Sequence, residues 1–434
     1  MADSGVMRQT HSCVTKTKPT SAFKLRWLVN PMTALALLGS TALMGADAAT
    51  EERLKNIEKQ LDNLQKENTS LKSKLQAEGL GGSDTATVKA GGKEKKIQLG
   101  GMLQAQYEAG STPDTRFSNA DRFLVRRARL NVSGSFLESF AWKLEGEFGN
   151  ANLKNNASYK AIATDAYIAW TRYDFANVKL GQFKTTFGYE QLVSDSVLPF
   201  AERSLVSDRF TIGRQAGVAL VGDFYNKRLG YMFGVFNGPS SNNGFNDNEK
   251  FTYTGRLTGT PWKGKIGKWE SQWSVGVDGY ASRDAVAGAI SLPDFKFDSV
   301  PGGAIDDIFA GDRRVWAIDS QFKLGPVDLS GEYFHGFFKQ SSVLPTAFKR
   351  INAQGFQATA SMFVIPKKLQ PAIRYESLDP NVDVKGNSSD EWIFGLNYYI
   401  KDHDLKLQLD YHLGNSSGFK DNQGRLVARA QLLF

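Results

Sequence analysis

A two-residue alternation recurs along this chain in short runs, and the runs are separated by connections that are long and short in turn. The final run, "GRLVARAQLLF" (424–434), shows the unit. Counting back from Phe434, Leu432, Ala430, Ala428 and Leu426 share one face; Gln431, Arg429 and Arg425 lie on the other, with Leu433 and Val427. Period two is a strand signal. "FTYTGRLTGT" sets Phe251, Tyr253 and Leu257 against Thr252, Thr254, Arg256 and Thr258, and "DLKLQLDY" sets Leu405, Leu407, Leu409 and Tyr411 against Lys406, Gln408 and Asp410. The same reading predicts sixteen strands: 96–108, 122–136, 140–149, 163–174, 177–184, 212–224, 228–237, 250–260, 267–281, 313–323, 325–336, 351–364, 368–379, 390–401, 404–412 and 425–434.

Connections after odd-numbered strands are long: 109–121, 150–162, 185–211, 238–249, 282–312, 337–350, 380–389 and 413–424. Those after even-numbered strands are a few residues each, such as "LES" (137–139), "YNK" (225–227) and "LGPV" (324–327). A sheet that spans lipid must close on itself, because unpaired backbone groups cannot be left in hydrocarbon. Bacterial barrels have an even number of antiparallel strands, short periplasmic turns and long outer loops. The pattern therefore predicts an all-β, 16-stranded antiparallel transmembrane β-barrel occupying 96–434, apolar side chains facing lipid and polar ones facing a water-filled lumen. An aromatic content of 12% supplies residues for the interfacial girdles.

The N-terminus reads differently. Lys16, Lys18, Lys24 and Arg26 precede an apolar run from Trp27 to Met44, and Ala46-Asp47-Ala48 offers an A-x-A cleavage site. That describes a secretory signal peptide over 1–48. Within 49–78, Leu54, Ile57, Leu61, Leu64, Asn68, Leu71 and Leu75 are spaced three and four apart, a coiled-coil seam with Asn68 at an a position. One apolar stripe implies a partner helix. "GLGGSDTATVKAGGKEKK" (79–96) then reads as a flexible linker, with its boundary at 95.

Several function classes drop out. Five of the chain's basic residues and two of its acidic ones fall in the first 48 positions, so the formal charge of +8 leaves about +5 beyond them. That is no footprint for nucleic acid. Cys13 is the only cysteine and lies in the signal segment, so neither a disulfide framework nor a thiolate metal site is expected. His335, His403 and His412 have no metal-ligand spacing, and neither Gly-x-Ser-x-Gly nor HExxH occurs. No catalysis, cofactor or metal is predicted.

"FLVRRARLNVSGSF" (123–136), "DAYIAW" (165–170), "VKLGQFKTTFGYEQL" (178–192), "GYMFGVFNG" (230–238), "LQPAIRYESLDP" (369–380) and "FGLNYYIKDHDLKLQLDY" (394–411) occur in an order that resembles the phosphate-selective porin O/P family. The resemblance runs from about 96 to 434. It implies a homotrimeric channel in the outer membrane of a Gram-negative bacterium, with the coiled coil in the periplasm, passing small anionic solutes such as phosphate or polyphosphate. It also implies that the third long loop folds into the pore, and that Phe434 belongs to the signal read by the barrel-assembly machinery.

The third connection, 185–211, carries Glu190, Asp195, Glu202 and Asp208 against Arg203 and Arg209. Parity sends Arg127 and Arg129 of "RRARL" into the lumen and Arg126 to the outer face. Other inward bases by parity are Lys143, Lys179, Arg256, Lys323, Arg374, Lys406 and Arg429. Inward acids are Glu108, Glu145, Glu147, Asp165, Asp278, Asp319, Asp328, Glu332, Glu376 and Asp410. Guanidinium groups suit phosphate through bidentate charge-assisted bonds. The candidate constriction is Lys184, Thr185, Arg127, Arg129, Arg203, Arg209 and Arg256, and Lys184 with Thr185 matches the family's anion-binding position. The competing expectation is that these bases pair with neighbouring acids and only shape the pore. A different function class also fits the sequence: a structural tether in which the coiled coil holds the outer membrane and the pore is secondary. Deleting 51–78 separates the two, since a channel keeps its conductance and a tether loses envelope integrity.

Overall fold

The computed structural model describes Gln60, residues 85–90 and residues 93–434, apart from 115, 119, 138, 150–160, 239–241, 243–244, 286–289, 292–307, 342–349 and 417–423. The chain divides into two compact units, Met1–Lys74 and Leu75–Phe434. In the first, Gln60 is helical and exposed. The expected signal peptide (1–48) and, Gln60 aside, the coiled coil (49–78) lie outside the described residues.

The second unit is the barrel. Its strands are β1 (Lys93–Gly110), β2 (Arg122–Phe136), β3 (Phe140–Glu147), β4 (Ile162–Tyr173), β5 (Ala176–Lys184), β6 (Arg214–Phe224), β7 (Leu229–Phe236) and β8 (Thr252–Ile266). They continue as β9 (Trp269–Arg283), β10 (Gly311–Leu324), β11 (Val327–Gln340), β12 (Arg350–Met362), β13 (Leu369–Asp379), β14 (Ser389–Lys401), β15 (Leu405–Ser416) and β16 (Gly424–Leu433). Each strand pairs antiparallel with the next, and β16 returns to β1, with Leu433 opposite Met102. The sixteen strands close, so the sheet keeps no free edge for lipid to meet.

The alternation sorts solvent in the expected direction. On β15, Leu407, Leu409 and Tyr411 are 44%, 44% and 45% exposed, while Lys406, Gln408 and Asp410 are buried. A soluble sheet would bury the other face; here the apolar face is left for lipid. Two of the short turns use glycine where the backbone turns left-handed, Gly267 (φ +60°) and Gly325 (φ +65°).

The linker expectation needs a correction. Residues 85–90 form a strand antiparallel to the start of β1, with Ala90 opposite Lys93. Thr85, Thr87 and Val88 are good strand formers.

Candidate functional site

The connection between β5 and β6, residues 185–213, contains two short helices, α1 (Tyr189–Leu192) and α2 (Leu205–Phe210). Several of its polar groups meet side chains from the polar faces of the strands. On one side the barrel supplies carboxylates and the loop supplies amides. Gly188 N donates to Asp278 of β9 at 2.9 Å, and Tyr189 N donates to Glu332 of β11 at 2.6 Å. Leu205 N, at the start of α2, donates to Glu376 of β13 at 3.1 Å, and Ser207 N is capped by the Ser204 hydroxyl at 3.0 Å. These are first-turn amides without partners inside their own helix, and carboxylates satisfy them well. Phe187, Leu205, Val206 and Phe210 pack with Tyr280, Val315, Phe334, Phe338 and Ile351 in one apolar cluster beside these contacts.

On the other side the roles reverse. The loop supplies carboxylates and the barrel supplies guanidiniums. Glu202 accepts from Arg126 at 2.7 Å and Arg127 at 3.1 Å, and it also pairs with Arg429 of β16. Asp195 pairs with Arg129 at 2.6 Å, with Arg127 at 3.5 Å, and with the loop's own Arg203. Burial by itself would raise both carboxyls; Arg127 and Arg203 around Asp195, and Arg126 and Arg127 around Glu202, instead hold them well below the usual carboxylate range. Between the two walls, Ala201 N donates to Asp410 at 2.6 Å, Lys406 Nζ donates to Leu198 O at 3.0 Å, and Asn397 donates to Pro199 O at 2.8 Å.

Arg126 corrects the parity reading. It was expected on the outer face, but it is buried and ion-paired with Glu202. The cause is a bulge: Arg127 stands opposite Gln104 and Val125 opposite Ala105, so Arg126 is the extra residue and turns to the same side as Arg127.

The structure brings Arg127, Arg129 and Arg203 together on Asp195. Lys184 joins them through the loop backbone. Its ammonium donates to Gln191 O at 2.7 Å and Val193 O at 2.9 Å, and Arg203 donates to the same Val193 carbonyl at 2.7 Å. Thr185 is fully buried, and its hydroxyl donates to Gly213 O at 3.0 Å. Arg256 stands apart on β8, bound to Asp278 and Asp319, and Arg209 lies 3.6 Å from Asp208. Arg214, just past the loop, was not among the candidates. It binds Asp165 at 2.7 Å beside Lys143, which pairs with Asp165 and Glu145. The observed strand begins at Arg214, two residues later than the predicted start at 212.

Arginines and lysines divide the work. Among the described residues, Lys179, Lys184 and Lys406 have no carboxylate within ion-pair distance. Lys179 lies 3.6 Å over the Tyr167 ring instead, and both Lys179 and Lys184 are only partly buried. A cavity of about 380 Å³ separates loop residues Tyr189, Val193 and Leu198 from Gln272, Lys323 and Gln357 of the facing wall.

The profile of the family described as phosphate-selective porin O and P matches residues 97–286 and 300–434. Porin O of Pseudomonas aeruginosa is 24% identical over 312 residues, covering 64% of this chain and 66% of that porin, so the chain spans just under two thirds of its relative. Among solved structures, an anion-selective porin from Comamonas acidovorans superposes with a TM-score of 0.53 at 13% identity, covering 79% of this chain and all of that one. In-vitro folded OmpT of Vibrio cholerae, in its trimer form, superposes with a TM-score of 0.51 at 11% identity, covering 78% and 99%. Likeness at this level of identity establishes the shared barrel fold.

Proposed function

The chain belongs to the phosphate-selective porin O and P family and is an outer-membrane porin, and from that premise we propose that it passes small anions such as phosphate through a constriction made by residues 185–213 inside the barrel. The observation that carries this reading is the loop's bonding to opposite walls. It reaches Arg127 and Arg129 on β2 and also Asp278 on β9 and Glu332 on β11. A segment bound to polar-face side chains on both sides of a closed barrel runs across its lumen.

The anion preference rests on an arc along β2–β6. Arg129, Lys143, Lys179, Lys184, Arg203 and Arg214 stand there against Glu145, Glu147, Asp165 and Asp195, six cations against four carboxylates. Lys184 is the residue best placed to touch the solute. An ammonium has three donors, and two of these are held by Gln191 and Val193, leaving one for a passing oxyanion. Conduction requires binding favourable enough to enter and weak enough to leave, which a single free donor provides better than a bidentate arginine. The cations are largely balanced by neighbours, so the preference is for anions in general and phosphate is one of them. The low-dielectric wall focuses the remaining field. Lys184→Glu lowers the anion-to-cation permeability ratio much more than Lys143→Glu, whose ammonium already sits between two carboxylates. Reversal potentials in planar bilayers under a salt gradient read this. A wild-type channel that prefers cations, or equal effects of the two changes, overturns it.

The same reading makes the protein a homotrimer. On the outer face, the small residues Ala105, Ala428 and Ala430 lie beside Tyr107, Leu407 and Leu409, a shallow apolar surface that allows close approach of another barrel. Sedimentation in detergent gives the mass of three protomers; the mass of one rejects this assembly.

A further inference from the structure

The outer face of β9–β12 carries a charged row at the end of the strands nearest the long loops. Residues directly opposite one another run Arg283, Asp312, Lys339, Arg350 across the four strands. With strands about 4.8 Å apart, the row spans roughly 15 Å. Arg314 stands one outward step below Asp312 on β10. The alternation fixes the direction of these side chains: Arg314, Lys339 and Arg350 are exposed, while Arg313, Phe338 and Ile351 between them are buried.

The charges do not balance. Arg283 and Asp312 pair with each other, with one contact of 2.8 Å. Among the described residues, Arg314, Lys339 and Arg350 have no carboxylate within ion-pair distance. Lys339 and Arg350 are directly opposed, an arrangement that destabilises a sheet unless something neutralises it. A soluble surface would do so with water and counterions, but the next rows down are no longer aqueous. Phe337 lies directly opposite Arg314 in the same row; below them come Trp316 stacked beside His335, with ring centroids 5.7 Å apart, then Ile318, Tyr333 and Phe356. Aromatic residues mark the level of the lipid headgroups, and the aliphatic surface below them marks the acyl chains. The three uncompensated cations thus stand at headgroup height on the outer leaflet side. Strands β9–β12 lie across the closed barrel from β1–β4, away from the alanine-lined surface.

We propose that Arg314, Lys339 and Arg350 form a binding site for the phosphate of a phosphorylated outer-leaflet lipid, whose acyl chains lie on the Trp316–Phe337–Phe356 surface. Charge complementarity and the vertical order of the rows identify the ligand: phosphate above, aromatic belt between, hydrocarbon below. The two arginines offer forked donors to phosphate oxygens, and Lys339 adds a point charge.

The test uses the full chain, purified in mild detergent and reconstituted with phosphatidylcholine, with and without diphosphoryl lipid A. Each lysine or arginine near an anionic headgroup contributes roughly fivefold in affinity. The triple change Arg314→Gln, Lys339→Gln, Arg350→Gln therefore reduces lipid A retention by about a hundredfold. Lys265→Gln, an exposed charge near the opposite end of the barrel, leaves it unchanged. Heat-modifiable migration on gels confirms that each variant is a folded barrel; if the triple variant does not fold, the single change Lys339→Gln is used and a fivefold loss is expected. Equal retention by the wild type and the folded variant overturns the site. So does equal displacement by inorganic phosphate at the concentration of the lipid headgroup, which would mark a site for free anions rather than for a membrane lipid.

Discussion

The loop 185–213 is attached to the two halves of the barrel wall with opposite polarity. Toward β9, β11 and β13, barrel carboxylates receive loop amides at Gly188, Tyr189 and Leu205, with one exception, Arg374 of β13, which pairs with the loop's Glu190. Toward β2 and β16, barrel guanidiniums grip loop carboxylates at Asp195 and Glu202. The difference lies in what each attachment leaves behind when broken. An amide that loses its acceptor is a neutral group with a modest penalty, whereas Glu202 is the counter-charge of three buried arginines. The acids of one wall and the bases of the other are thus mostly engaged in anchoring. Lys179 and Lys184, partly buried and without a carboxylate partner among the described residues, are left to meet the solute.

Removing Glu202 is the strongest way to break this contrast. Glu202→Ala leaves Arg126, Arg127 and Arg429 facing one another with no shared anion. Breaking a buried charge network costs about 3–5 kcal/mol. The expected result is an undocked loop, a larger single-channel conductance and new proteolytic cleavage within 193–204. An unchanged conductance would show that the carboxylate–amide wall holds the loop alone.

Glu332→Gln probes that second wall and has a smaller effect. The amide side chain keeps one carbonyl acceptor for Tyr189 N and loses the second contact, to Glu190 N. The loss is about 2 kcal/mol, and the apolar cluster around Phe187 and Phe210 still holds this end. Conductance stays near the wild-type value, with more frequent brief openings in single-channel records. An effect as large as that of Glu202→Ala would erase the proposed asymmetry.

Much of this was legible in the sequence, for a physical reason. Alternation survives along most strands because each position must choose between lipid and water, so Lys406, Gln408 and Asp410 are found on one face and Leu407, Leu409 and Tyr411 on the other. The order of long and short connections survives because turns and loops occupy opposite ends of the strands. What parity could not carry was local. One inserted residue turned Arg126 inward, and the partner of Arg214, Asp165, lies on another strand. Nor could a sequence say which acids meet which bases: Glu202 and its arginines are separated by 75, 76 and 227 positions. The strand at 85–90 was hidden because the sequence around it is rich in glycine, a composition that suits a linker.

The smallest expected effect is a response to acid that stays absent until unusually low pH. Asp195 and Glu202 are held well below the usual carboxylate range by their guanidinium neighbours. In an unfolded or undocked chain they would titrate at about 3.9 and 4.3. A depressed carboxyl contributes stability that is fully present above its unfolded value and is lost as pH falls through its lower folded value. Single-channel conductance of the wild type should therefore stay level from neutral pH down through about pH 4, and rise only below that as the loop lets go. Arg127→Gln removes a guanidinium that both carboxylates share. Their protonation then moves upward toward the ordinary range, and the conductance rise moves with it. A wild-type transition already at pH 4–5, or an Arg127→Gln channel with an unshifted profile, would mean that the guanidinium wall does not set the acid limit of the pore.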